Sequence, residues 1–161
     1  MEGRLYTVSF DAATAVSAQI DIFWIAPADD KPVELQELTL WQTSDFGDAQ
    51  DEVIGLEIIR GFTTVGSGGS ASPLIGKFDS PGGTAIAATC RCRDTTLATA
   101  GTTDILHMDG WNVRSPYIWT PPTDDWVPFA TQAQTSLVVR LLAAPVDAIT
   151  MNASCKIREF G

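Results

Sequence analysis

Ile149-Thr150-Met151-Asn152-Ala153-Ser154-Cys155-Lys156-Ile157-Arg158 alternates apolar and polar side chains from end to end. Successive side chains of an extended strand point to opposite faces, so Ile149, Met151, Ala153, Cys155 and Ile157 share one face and Thr150, Asn152, Ser154, Lys156 and Arg158 the other. One dry and one wet face is the pattern of an antiparallel sheet lying over a core. Just upstream, Ser136 to Ala143 sends Leu137, Val139 and Leu141 to one side, and Ala144-Pro145-Val146-Asp147 turns the chain between the two runs.

The same period recurs toward the N-terminus. Tyr6, Val8 and Phe10 share a face of a first strand, and Ile20, Ile22 and Trp24 a face of a second. Phe23 and Ile25 load the opposite face of that second strand, which predicts either cover on both sides or a subunit contact. Pro27 and Pro32, without amide protons, end the pairing. In Val33 to Gln42 the phase changes, with Val33 and Leu35 on odd positions and Leu38 and Leu40 on even ones; keeping all four in a core requires an extra residue, a β-bulge near Gln36-Glu37.

Val53 to Thr63 reads as a central strand, with Ile54, Leu56 and Ile58 on one face. Gly66-Ser67-Gly68-Gly69-Ser70 sits inside residues 64–83, which are read as a long surface loop. Ala85 to Arg93, Thr103 to Val113 and the short Tyr117-Ile118-Trp119 supply further strands. About eight or nine strands without a helical period point to a single all-β domain over residues 1–161: a two-sheet antiparallel sandwich, jelly-roll in topology, with an immunoglobulin-like sandwich as the alternative.

Composition narrows the function. Ten Lys and Arg against 20 Asp and Glu leave a net charge of −10, with no basic cluster to neutralise a row of phosphates, so nucleic acid is not expected as a partner. No apolar run approaches the roughly 20 residues that span a bilayer, and Met1-Glu2-Gly3-Arg4 lacks the basic-then-apolar form of a signal peptide, so no membrane partner or export is expected. Cys90, Cys92 and Cys155 read as free thiols of a reducing compartment. With His107 they could make a zinc set, but the usual CxxC spacing is missing.

Residues for chemistry are sparse. His107 is the one histidine, and a strand places it on the same face as Asp109, as a base and its orienter would be; no serine stands in a nucleophile-elbow setting, and no enzyme is expected. Asp45, Asp48, Asp51 and Glu52 could ligate calcium, but their spacing is not that of calcium loops, and residues 45–52 read as a solvated acidic loop. No cofactor or metal is expected. Trp111, Tyr117, Trp119, Trp126 and Phe129 crowd a stretch stiffened by Pro116, Pro121, Pro122 and Pro128. They read either as a cap on the sandwich or, with Phe23 and Trp24, as a candidate interface or sugar-stacking platform.

The stretch from Ile25 through Pro27, Asp30 and Pro32 to Leu35, then Gln42-Thr43-Ser44-Asp45, Gly47-Asp48-Ala49-Gln50 and Ile58-Ile59-Arg60-Gly61, resembles small proteins encoded by tailed bacteriophages and prophages. Asn112-Val113-Arg114 and Leu137-Val138-Val139-Arg140-Leu141 share the likeness. The resemblance implies a virion component of the jelly-roll head decoration, or cement, type. It would be a homotrimer, assembled in the host cytoplasm and seated on the major capsid protein at the capsid surface. A carbohydrate- or receptor-binding module of the virion, or a head-to-tail or tail subunit, are the alternatives. No site residue is carried over.

Overall fold

The computed structural model describes residues 3–10, 15–44, 51–79, 82–123, 127–132 and 135–161. Their strands are β1 (Arg4–Phe10), β2 (Asp21–Ala26), β3 (Val33–Gln42), β4 (Val53–Phe62), β5 (Leu74–Lys77), β6 (Thr89–Asp94), β7 (Asp104–Asn112), β8 (Tyr117–Trp119), β9 (Phe129–Ala130), β10 (Ser136–Leu141) and β11 (Met151–Glu159). They form two antiparallel sheets packed as a sandwich. One runs β5-β1-β11-β3-β8, with β9 also paired to β3; the other runs β6-β2-β10-β4-β7. Strands near in sequence lie mostly in opposite sheets, so nearly every connection crosses the sandwich.

Alternation decides what fills the middle. Met151, Ala153, Cys155 and Ile157 of β11 are all sealed from solvent, as are Tyr6 and Val8 of β1 beside them. Phe10 meets Phe23 of the opposite sheet at 5.6 Å between ring centres. Each fully buried aliphatic or aromatic side chain contributes about 1.5–3 kcal/mol relative to exposure, which makes this shared layer the main source of cohesion.

The bulge expected in β3 is present. Against β11, Lys156 pairs with Glu37 but Ile157 pairs with Leu35, so Gln36 is the extra residue. Val33, Leu35, Leu38 and Leu40 consequently all face the core, none more than 1% exposed.

β2 is buried on both faces within the chain. Phe23 and Ile25 enter the core. On the other side, Asp21 accepts the Ala98 N–H at 2.6 Å, and Arg140 of β10 donates to both Asp21 and the Ala98 carbonyl, so the β6–β7 connection is tied across this sheet. A register shift at Ile22 brings Asp21 opposite Arg140.

Residues 64–79 are not the free loop that the composition of 64–83 predicts. Thr64, Ser67 and Ser70 form bridges to Thr99, Thr96 and Cys92, and Leu74–Lys77 is the edge strand β5 on β1. The glycines here serve close approach: a Cβ at Gly69 would lie 2.2 Å from the Cys92 carbonyl oxygen. Residues 85–88, expected to be in strand, instead hang from Glu159, whose carboxylate accepts the Ala87 and Ala88 N–H groups at 2.9 and 2.8 Å.

Candidate functional site

β7 and β8 are edge strands of opposite sheets, and Trp111, Tyr117 and Trp119 of the expected aromatic residues fall at the gap between them. Along β7, His107, Asp109 and Trp111 point between the sheets, whereas Met108 and Gly110 point outward. Tyr117 and Trp119 of β8 pair with Leu40 and Leu38 and share their inward direction.

The side chains that meet there stitch the edges together. The His107 and Trp119 rings lie 5.0 Å apart. The Tyr117 hydroxyl donates to Asp109 Oδ2 at 2.9 Å, and Asp109 Oδ1 accepts the Gly110 N–H at 2.7 Å. The Gly110 N–H first, and Tyr117 second, hold the Asp109 carboxyl below its ordinary range, while burial and then the bond to Asp109 push the Tyr117 phenol up. His107 Nε2 stands 3.7 Å from Asp109 Oδ2, too far for a hydrogen bond. His107 and Asp109 do share a face, and their shared partners are the two β8 aromatics.

Outside this stitch, each outer face carries exposed apolar side chains near these edges. Ile118 of β8 is 68% exposed, Met108 and Ile105 of β7 58% and 57%, and Val53 of β4 66%. Gly55 and Gly110 are cross-strand partners, with Leu142 laid over Gly55 and Val53 over Gly110. Exposed apolar side chains that share an outer face, as Ile105, Met108 and Val53 do, mark a contact surface more often than isolated ones do.

The expected interface residues do not form one platform. Phe23 and Trp111 belong to the core, the latter with its indole N–H bonded to the Ser115 carbonyl at 2.9 Å, so neither offers a surface. Trp24 is half-buried on the outer face of its sheet, next to Val138 and Arg91. Phe129 lies on β9 and packs edge-on against Phe160 at 6.3 Å. Trp126 lies outside the described residues. Tyr117 and Trp119 pack against the core at the β7–β8 side.

The metal sets separate likewise. Asp45 and Asp48 lie outside the described residues; Asp51 pairs with Arg114 at 2.9 Å, and Glu52 accepts the Val146 N–H at 2.8 Å. Cys90 and Cys92 are on β6 and His107 is on β7, opposite edges of one sheet. Among the described residues, no three metal-binding side chains converge. Burial pushes the Cys90 thiol up to about 12 and the Cys155 thiol well above its ordinary value.

Sequence reading missed a pair of clefts around Arg93 and Ser70. Nothing local distinguishes Arg93 from Arg91 two residues earlier, which is ion-paired to Asp94; only the tertiary structure separates them. Compared with known protein families, curated proteins and solved structures, the chain finds no match.

Proposed function

We propose that the protein is a structural component of a phage virion, a decoration protein that binds the head lattice as a homotrimer. The observation that carries this reading is the exposed apolar side chains beside the stitched β7–β8 edges, Ile105, Met108 and Val53 on the outer face of one sheet and Ile118 on that of the other. A rigid sandwich with exposed apolar side chains on its outer faces suits repeated, individually weak contacts that sum across a lattice. The jelly-roll topology expected of such proteins is supported by the strand order, since β1-β11-β3-β8 faces β2-β10-β4-β7, with β5 and β6 added at one side. The likeness of the Ile25 to Leu35 stretch to phage-encoded proteins points the same way.

Light scattering on the purified protein is expected to give a trimer, and the protein is expected to sediment with expanded heads. I118D combined with M108D should weaken head binding about tenfold or more while leaving the melting temperature close to that of the parent. A monomer that fails to sediment with heads overturns the proposal.

A carbohydrate- or receptor-binding role is the second reading, and one observation favours it. Trp41, Val113 and Pro116 line a cleft of about 310 Å³ whose exposed walls are apolar, a surface of the kind on which a sugar ring stacks. Saturable binding on a glycan array, lost in W41A, would support that reading over the first.

A further inference from the structure

Acidic groups outnumber basic ones two to one in this chain, 20 against 10, so a cation left without a counter-charge stands out. Arg60, Arg91, Arg114 and Arg140 end on Asp104, Asp94, Asp51 and Asp21. Among the described residues, no carboxylate lies within ion-pair distance of Arg93. Its Nε is closed off from solvent without a hydrogen-bond partner, and its guanidinium carbon sits 5.3 Å from the centre of the Phe10 ring. The backbone holds it there in the left-handed region, at φ 58°, a conformation that non-glycine residues seldom adopt.

Two clefts adjoin this arginine, of about 270 and 130 Å³, and Arg93 and Ser70 line both. Val16 and Ile20 give the larger one apolar walls, and Ser17 and Thr95 add hydroxyls. The Ser70 hydroxyl oxygen already accepts the Ser72 N–H at 3.1 Å, which leaves its own hydrogen to donate. Ser70 is also fixed in place, bonded through its backbone in both directions to Cys92, at 2.8 and 3.0 Å, beside Arg93 on the same strand. The nearest acid along the chain, Asp94, is occupied: Arg91 bonds it at 2.6 and 2.8 Å, and it accepts the Gly69 N–H at 3.0 Å.

The geometry points to an oxyanion-binding site at Arg93 and Ser70 that takes a small carboxylate or phosphate ligand. A guanidinium is the side chain best matched to either group, and Ser70 supplies a second donor that does not have to be reorganised. The cleft volume limits the ligand to a small one. The overall charge of −10 opposes anions at long range, but at physiological salt that field decays over about 8 Å, and the local cation decides.

The test is a titration followed by amide NMR shifts, with inorganic phosphate, sodium glucuronate and neutral glucose as probes, on the parent and on R93Q, S70A and R4Q. Saturable shifts centred on Gly69, Ser70, Arg93 and Thr95 are expected with phosphate or glucuronate, and the tighter of the two identifies the ligand source. R93Q should weaken that binding about tenfold or more, S70A several-fold, and R4Q not at all. Should R93Q fail to fold, R93K and S70A decide: weakened binding supports the site and unchanged binding overturns it. No saturation by either anion up to about 20 mM, well above a millimolar dissociation constant, overturns the proposal. So does an equal response to glucose, or a folded R93Q that binds like the parent.

Discussion

Arg140 and Asp21 form an ion pair of 2.5 Å between β10 and β2, with the Asp21 side chain 1% exposed and that of Arg140 11%. The same guanidinium also donates to the Ala98 carbonyl and lies over the Phe62 ring, so one side chain joins two strands, a connection and an aromatic. Removing one member of a buried pair leaves the other as an uncompensated charge. R140M is expected to cost about 3–5 kcal/mol in urea unfolding. The double variant D21N/R140M should recover part of that loss, because the amide oxygen it places beside Ala98 still accepts the N–H that Asp21 accepts in the parent; a strictly additive double variant would contradict the coupling.

Deleting Gln36 tests the bulge. Without the extra residue, either Val33 and Leu35 or Leu38 and Leu40 must turn outward, at about 1.5–3 kcal/mol per side chain. The deletion should therefore remove most of the stability of a typical domain. Q36A keeps the register and loses one side-chain bond, to Glu34 at 2.8 Å, so a change of about 0.5 kcal/mol is expected. Equal effects of the two changes, measured by urea titration, would rule out this role for Gln36.

Glu57 sets a pH dependence. Burial raises its carboxyl above the ordinary value, against the lowering influence of Arg140. A raised acid binds its proton more tightly in the folded state, so the folded protein loses stability as pH rises from the ordinary carboxyl range through the raised value. E57Q removes that loss. It is expected to be more stable than the parent at neutral pH and to lose the advantage at acid pH, measured as urea midpoints at pH 4 and 7.

The three thiols make the alkaline counterpart. Cys90, Cys92 and Cys155 are buried and, with burial as the largest cause, raised above their ordinary value, Cys90 to about 12. An aromatic disulfide reagent at pH 8 is expected to react with them in denaturant and hardly at all in the native protein. Above pH 9 the unfolded chain releases thiol protons that the folded one keeps, so stability should decline toward pH 12. Rapid native labelling would contradict the sealed positions.

The alternation of β11, the extra residue at Gln36 and the tripeptide strand Tyr117–Trp119 were legible because each leaves a mark in the spacing of apolar residues. Phe23 and Trp111 were harder to place. Their size and character fit a core and a contact surface equally, and only the partners, Phe10 for one and the Ser115 carbonyl for the other, decide. The glycine-rich run misled for a related reason. Gly69 is small because the Cys92 carbonyl passes close by, and a chain read residue by residue carries no trace of such a neighbour. Arg93 escaped notice because the lack of a carboxylate beside it, among the described residues, is a property of the space around it.

β10 occupies the middle of one sheet, between β2 and β4, and β11 the middle of the other, between β1 and β3. The two consecutive strands thus act as a double keystone, and until both are laid in, each layer remains two separate halves. On a ribosome the earlier strands would emerge with their central places vacant and their ladder groups unpaired, and so would depend on late, long-range closure. A product ended before Ser136 would have lost the joint that holds both layers together, far more than its share of length.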